Sequence, residues 1–118
     1  MSEAELQQAV QHLASLLGWK YYHAPDNRPN ARGAIQKIVP GFPDLLLVHP
    51  ERRWLIFAEL KAEKGRLTPA QKNWLTWLGR IAEVYVWRPR DLNNGNIARA
   101  LNILPARNTP QIEANNPE

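Results

Sequence analysis

Gly41-Phe42-Pro43-Asp44-Leu45-Leu46-Leu47-Val48, a short break, then Trp54-Leu55-Ile56-Phe57-Ala58-Glu59-Leu60-Lys61: the fold turns on how this stretch is read. Both halves are apolar runs of strand length with charge at one end, Asp44 opening the first and Glu59 with Lys61 closing the second. His49 to Arg53 reads as a hairpin loop, so the strands run antiparallel and the start of one lies beside the end of the other. Asp44 and Glu59 are therefore expected as near neighbours. Alternation along a strand sends Glu59 and Lys61 to one face, while Leu60 points away and leaves its carbonyl close to them.

Charges at the ends of buried strands need a reason, because taking an ion out of water costs several kcal/mol unless it is paired or metal-bound. Two carboxylates held together repel, and each raises the other's pKa unless a cation lies between them. A divalent metal removes the conflict. Oxygen-only ligands favour a hard ion, Mg²⁺ or Mn²⁺, which keeps several waters and takes one or two carboxylates plus phosphate oxygens of a substrate. Protonated Lys61 cannot ligate a metal, but its compact charge suits an attacking hydroxide or a developing phosphorane. The plainer alternative is a structural Asp/Glu/Lys cluster, a poor way to stabilise a fold.

With 118 residues, 44% of them hydrophobic, the chain is long enough for one domain with its own core, expected over residues 1–104. Residues 105–118 are polar, carry two more prolines after Pro105 and show no period, and read as a flexible tail. With no cysteine, disulfides and thiolate metal sites are excluded. No run approaches the roughly 18 apolar residues of a membrane span, so a cytoplasmic protein with no membrane partner is expected. A net charge of +4 and a pI near 9.8 suggest a polyanionic partner. The basic residues cluster: Lys20, Arg28, Arg32 and Lys37 stand against Asp26 alone, and Lys61, Lys64, Arg66 and Lys72 against Glu63 alone. Both clusters flank the acidic pair in sequence.

Upstream, Ser2 to Leu17 reads as an amphipathic helix with Leu6, Ala9, Val10, Leu13 and Leu17 on one side, Ser2 as N-cap and Gly18 as stop. Glu3 falls on the apolar stripe and Glu5 is rotated away from it; both also serve as ordinary first-turn acids favouring the helix dipole. Trp19 to Ala24 looks like a first strand. Pro25 to Pro40 reads as a long loop. Downstream, Thr68-Pro69-Ala70-Gln71 has the form of a capping box that opens a helix to about Leu78. Its tryptophans, Trp74 and Trp77, are expected in the core. Glu83 to Trp87 is a further strand closed by Arg88-Pro89-Arg90-Asp91, and Asn96 to Leu104 forms a short helix. The two arginines read as an exposed strand end or as phosphate contacts.

Pro43-Asp44 followed by Glu59-x-Lys61 resembles the PD-(D/E)xK nuclease motif. Together with Gly41-Phe42-Pro43-Asp44-Leu45 and Gly65-Arg66-Leu67-Thr68-Pro69-Ala70-Gln71, the chain resembles the small stand-alone type of VRR-NUC (virus-type replication-repair nuclease) domain from about Ser2 to about Asp91. The resemblance implies an α/β, restriction-endonuclease-like core, a mixed central sheet flanked by helices in the order αβββαβ. Part of Asn30 to Val39 then looks like an insertion.

The resemblance also implies a site. Asp44, Glu59 and the Leu60 backbone carbonyl would hold Mg²⁺ or Mn²⁺, with a helix-1 acid assisting, a position that fits Glu3 better than Glu5. Lys61 would help generate and place the hydroxide, and Gln71 would line the site as well as cap its helix. In-line attack on a phosphodiester would leave 5′-phosphate and 3′-hydroxyl ends. His23, Arg28, Arg32, Lys37, Lys64 and Arg66 are the candidate DNA contacts; His23 also reads as a general base or a structural residue, and the loop arginines as solvated. The expected activity is that of a structure-specific DNA endonuclease, a bacterial or phage protein of replication and repair. A homodimer resolving four-way (Holliday) junctions comes first. A nicking or flap endonuclease is the alternative among enzymes, and a non-catalytic DNA-binding module the alternative from another class.

Overall fold

A computed structural model describes residues 1–25 and 39–102. In chain order the elements are α1 (Glu3–Leu16), β1 (Lys20–His23), β2 (Leu45–His49), β3 (Trp54–Leu60), α2 (Pro69–Gly79), β4 (Glu83–Trp87), α3 (Pro89–Asn93) and α4 (Asn96–Leu101). The four strands form one open sheet in the order β1-β2-β3-β4. The first three are antiparallel neighbours and β4 joins β3 in parallel, reached through α2. This is the mixed, helix-flanked α/β sheet that the sequence pattern implies, consistent with a restriction-endonuclease-like core.

Alternation in β2 sorts its residues cleanly: Leu45, Leu47 and His49 are buried, Leu46 and Val48 only half so. The buried set meets Ile56, Ala58 and Leu60 of β3, Leu6, Val10 and Ala14 of α1, and Ile97, Ala100 and Leu101 of α4. Each fully buried leucine there contributes on the order of 1.5–3 kcal/mol. Trp19 closes this core, its indole N–H donating to the Leu101 carbonyl at 2.9 Å. His49, also buried, is accounted for: Nε2–H donates to the Leu17 carbonyl at 3.1 Å and Nδ1 accepts from the Arg52 amide at 3.3 Å. The other face of the sheet carries Phe57, Glu59 and Lys61, and α2 lies over it on the β4 side.

Three expectations are corrected. No residue of α2 is fully buried: Trp74 is half-buried and Trp77 is 55% exposed, so these tryptophans are not core. The deep core lies between the sheet and the α1/α4 layer, and α2 covers the opposite face with an edge-to-face series of rings, Phe42, Trp74 and Trp77. Second, the segment after β4 is helical from Pro89, which takes the first helical position where its missing N–H costs nothing. Third, α4 ends at Leu101, not Leu104. The expected tail, residues 105–118, lies outside the described residues, as do Arg28, Arg32 and Lys37.

Two local features aim the chain at one end of the sheet. Ser2 and Glu5 form a reciprocal cap, Glu5 N–H to Ser2 Oγ at 3.1 Å and Ser2 N–H to Glu5 Oε1 at 2.8 Å, which fixes the start of α1 and leaves Glu3 beside it. Gly41 has φ +82°, and a Cβ there would lie 2.4 Å from the Ala70 backbone. Only glycine permits that approach, which seats the residues ahead of Asp44 directly on the first turn of α2.

Candidate active site

Leu45 pairs with Ala58, so Asp44 and Glu59, each one step further out, stand side by side at the same end of the sheet. Pro43, fully buried, and Gly41 fix the path into Asp44. One Asp44 oxygen, Oδ2, accepts from the Leu60 amide at 2.7 Å. Glu59 is 2% exposed; its Oε2 accepts from the Gln71 side-chain amide at 3.1 Å, and its Oε1 is buried with no hydrogen-bond partner.

Burial is the first cause that raises the Asp44 pKa; the Leu60 amide and a hydrogen bond with Glu59 oppose it, Glu3 adds to it, and the charge of His23 counters. Glu59 is pushed up to about 8, by burial first and then by the Asp44 charge and hydrogen bond, with Lys61 pulling the other way and Glu3 adding to the rise. Without a cation the two carboxyl groups therefore hold a proton between them at neutral pH. Lys61 is half-exposed on the face of Glu59, and its amide donates to the Trp87 carbonyl at 2.9 Å, tying the end of β3 to the end of β4. Glu3 reaches the same neighbourhood from α1, its Oε2 accepting from the Ala62 amide at 3.4 Å.

Gln71 performs two tasks at once. Its Oε1 accepts from the Thr68 amide at 2.8 Å and its Nε2 donates to Glu59, while Thr68 Oγ1 accepts from the Gln71 amide at 3.1 Å. The helix cap thus holds the glutamine over the acid. His23 ends β1 near Asp44, and Lys64 and Arg66 are exposed on the turn that follows Lys61.

Sequence reasoning did not find what Arg88 touches. Its Nε donates to the Glu63 carbonyl at 3.2 Å and a terminal nitrogen to the Gly65 carbonyl at 2.5 Å; Arg90 meets the Glu63 carboxylate at 3.3 Å. The signal was the parallel β3–α2–β4 unit, which places the end of β4 beside the end of β3. That adjacency requires the sheet order.

The donor chemistry suits a hard dication: two adjacent carboxyl groups, one with a buried oxygen that nothing outside the pair satisfies. Among the described residues no group of three or more His, Cys, Asp or Glu side chains is gathered closely enough to hold a metal, so the fit rests on the Asp44–Glu59 pair. No helix among the described residues is long and apolar enough to cross a membrane. The VRR-NUC domain model matches residues 3–90, a span that takes in Glu3, Asp44, Glu59, Lys61 and Gln71. No curated protein and no solved structure matches the chain.

Proposed function

The chain belongs to the VRR-NUC domain family, a nuclease family, and on that footing we propose that it is a metal-dependent, structure-specific DNA endonuclease acting first on four-way junctions. The observation that carries this reading is the acidic pair itself: Asp44 and Glu59 stand side by side at one end of the sheet, burial raises the pKa of both, and Glu59 Oε1 is buried with no partner outside the pair. Asp44, Glu59 and the Leu60 carbonyl are the groups proposed to hold Mg²⁺ or Mn²⁺, with Glu3 assisting. When bound, such an ion supplies Lewis-acid activation of water and stabilises charge on the phosphodiester.

The chain's own residues do the rest. The Leu60 amide fixes Asp44, and Gln71 fixes Glu59, so neither acid needs to reorganise when substrate arrives. Lys61, on the same face, steadies the negative charge that develops on the phosphorus oxygens. Lys64, Arg66 and His23 are the groups proposed to meet neighbouring phosphates. Attack of water on phosphorus with breakage of the P–O3′ bond, the O3′ leaving and taking up a proton, gives 5′-phosphate and 3′-hydroxyl ends. Two copies about a twofold axis would cut two symmetry-related strands, a geometry that reads the shape of a branch and not its sequence.

Labelled duplex, nicked, flap and four-way DNA, each with Mg²⁺, Mn²⁺ or EDTA, test this. Wild type should cut only with metal, and Lys61→Ala and Asp44→Asn should lose activity by at least about 10²–10³-fold while still binding DNA. Paired symmetric cuts confined to the junction support resolution. Equal cutting of flaps replaces that substrate with the flap, and retardation of every DNA with no cutting sinks the enzyme reading.

A further inference from the structure

We propose that Arg88 is a positioning residue for DNA binding: by gripping two carbonyls of the turn after Lys61, it presents Lys64 and Arg66 to substrate phosphates beside the Asp44–Glu59 pair. This rests on the reading of the substrate as DNA, and goes beyond it by assigning work to a residue outside the acidic site.

Residues 61–67 lie between β3 and α2 and belong to no regular element, so their carbonyls need partners from elsewhere. The Gly65 amide closes a turn on the Ala62 carbonyl at 3.0 Å, which leaves Glu63 and Gly65 with carbonyls facing β4. Arg88 takes both, at 3.2 Å and 2.5 Å. A guanidinium can do this because its donors form a rigid planar fork; an ammonium is a point charge that reaches one such carbonyl at a time.

The clamp is itself anchored. The Arg88 amide donates to Asp91 Oδ2 at 2.8 Å, the other Asp91 oxygen accepts from Asn96 at 3.0 Å, and the next residue, Pro89, is buried. On the far side of the turn, Gly65 sits against the stem of Lys61, whose Cδ would lie 3.4 Å from an added Cβ. Between these two supports Lys64 and Arg66 are exposed and free of any described ion pair with the turn's own acid, since Glu63 faces Arg90. A half-buried arginine spent on two carbonyls is a poor phosphate contact, but it is well placed to hold other cations out.

The test measures DNA binding in EDTA, where nothing is cut, as a function of salt, for wild type, Arg88→Lys, Arg88→Ala and the double variant Lys64→Ala/Arg66→Ala. Each exposed cation that neutralises a phosphate adds about 0.9 to the slope of log affinity against log salt. Arg88→Lys keeps the charge and loses the fork, so the clamp predicts a slope shallower by about 1 to 2, matching the double variant, and binding about tenfold weaker at low salt. Adding Arg88→Ala to the double variant should change the slope no further. Thermal melts show that each variant is folded, and Arg88→Lys carries the test if Arg88→Ala is not. Arg88→Lys with the wild-type slope overturns the clamp, and so does an Arg88→Ala effect that adds fully to the double variant. Wild type that binds no DNA takes down the substrate reading and the clamp together; wild type that binds but never cuts removes the enzyme reading and leaves the clamp standing.

Discussion

Glu59 is the residue on which acidity and stability meet. Its carboxyl titrates near 4.5 when free of the fold and is pushed up to about 8 within it, so between those values the folded state holds a proton the unfolded state has lost. A group of this kind stabilises the fold fully below about 4.5, and the contribution is lost as pH climbs through about 8. Metal-free protein should therefore melt at lower temperature at pH 8.5 than at pH 6, and Glu59→Gln should remove most of that difference. Because a cation must displace the shared proton, apparent Mg²⁺ affinity should rise from pH 6 to pH 8 in wild type. Affinity flat across that range in calorimetry would count against the pair as ligands. Asp44, Glu59 and Lys61 were legible in the sequence because each is a charge at the end of an apolar run. Arg88 was not, since nothing local says which turn an arginine faces once β4 has been laid beside β3.

At the level of the element, α2 separates capping from chemistry. Thr68→Ala removes the acceptor for the Gln71 amide and should cost about 1 kcal/mol, leaving the glutamine side chain near Glu59. Gln71→Ala removes both the return bond to the Thr68 amide and the bond to Glu59. The two variants should lose similar thermal stability, yet turnover should fall much further in Gln71→Ala; equal turnover would reduce Gln71 to a cap. The cap, the hairpin and the strand alternation could all be read from spacing, because each is set by interactions within a few residues or by one register. Helix α3 was missed because Arg88-Pro89 looks like a strand end, and only Pro89 at the first helical position turns that segment. The tryptophans of α2 were misplaced for a different reason. Hydrophobicity shows that a ring seeks cover, and here Trp74 and Trp77 find it mainly in each other and in Phe42.

For the whole molecule the deciding quantity is copy number. A cut through both strands of a symmetric branch calls for two sites, so on a sizing column calibrated by light scattering the 13.5 kDa chain should run at about twice its mass. A monomer at micromolar concentration would favour nicking or flap cleavage over resolution. The exposed side chains of Trp77 and Ile81 belong to this scale too, since apolar groups at the surface of so small a domain bear on how copies associate. The seat of Gly41 on Ala70 belongs here as well. It joins the approach to Asp44 with the helix that carries Gln71, and the junction has space for a hydrogen but not for a carbon. One methyl at that point would act as a wedge, prising the two banks of the cleft apart while leaving every charge on the protein as it was. Geometry and electrostatics, which most substitutions here disturb together, are separable at a position that carries no functional group at all.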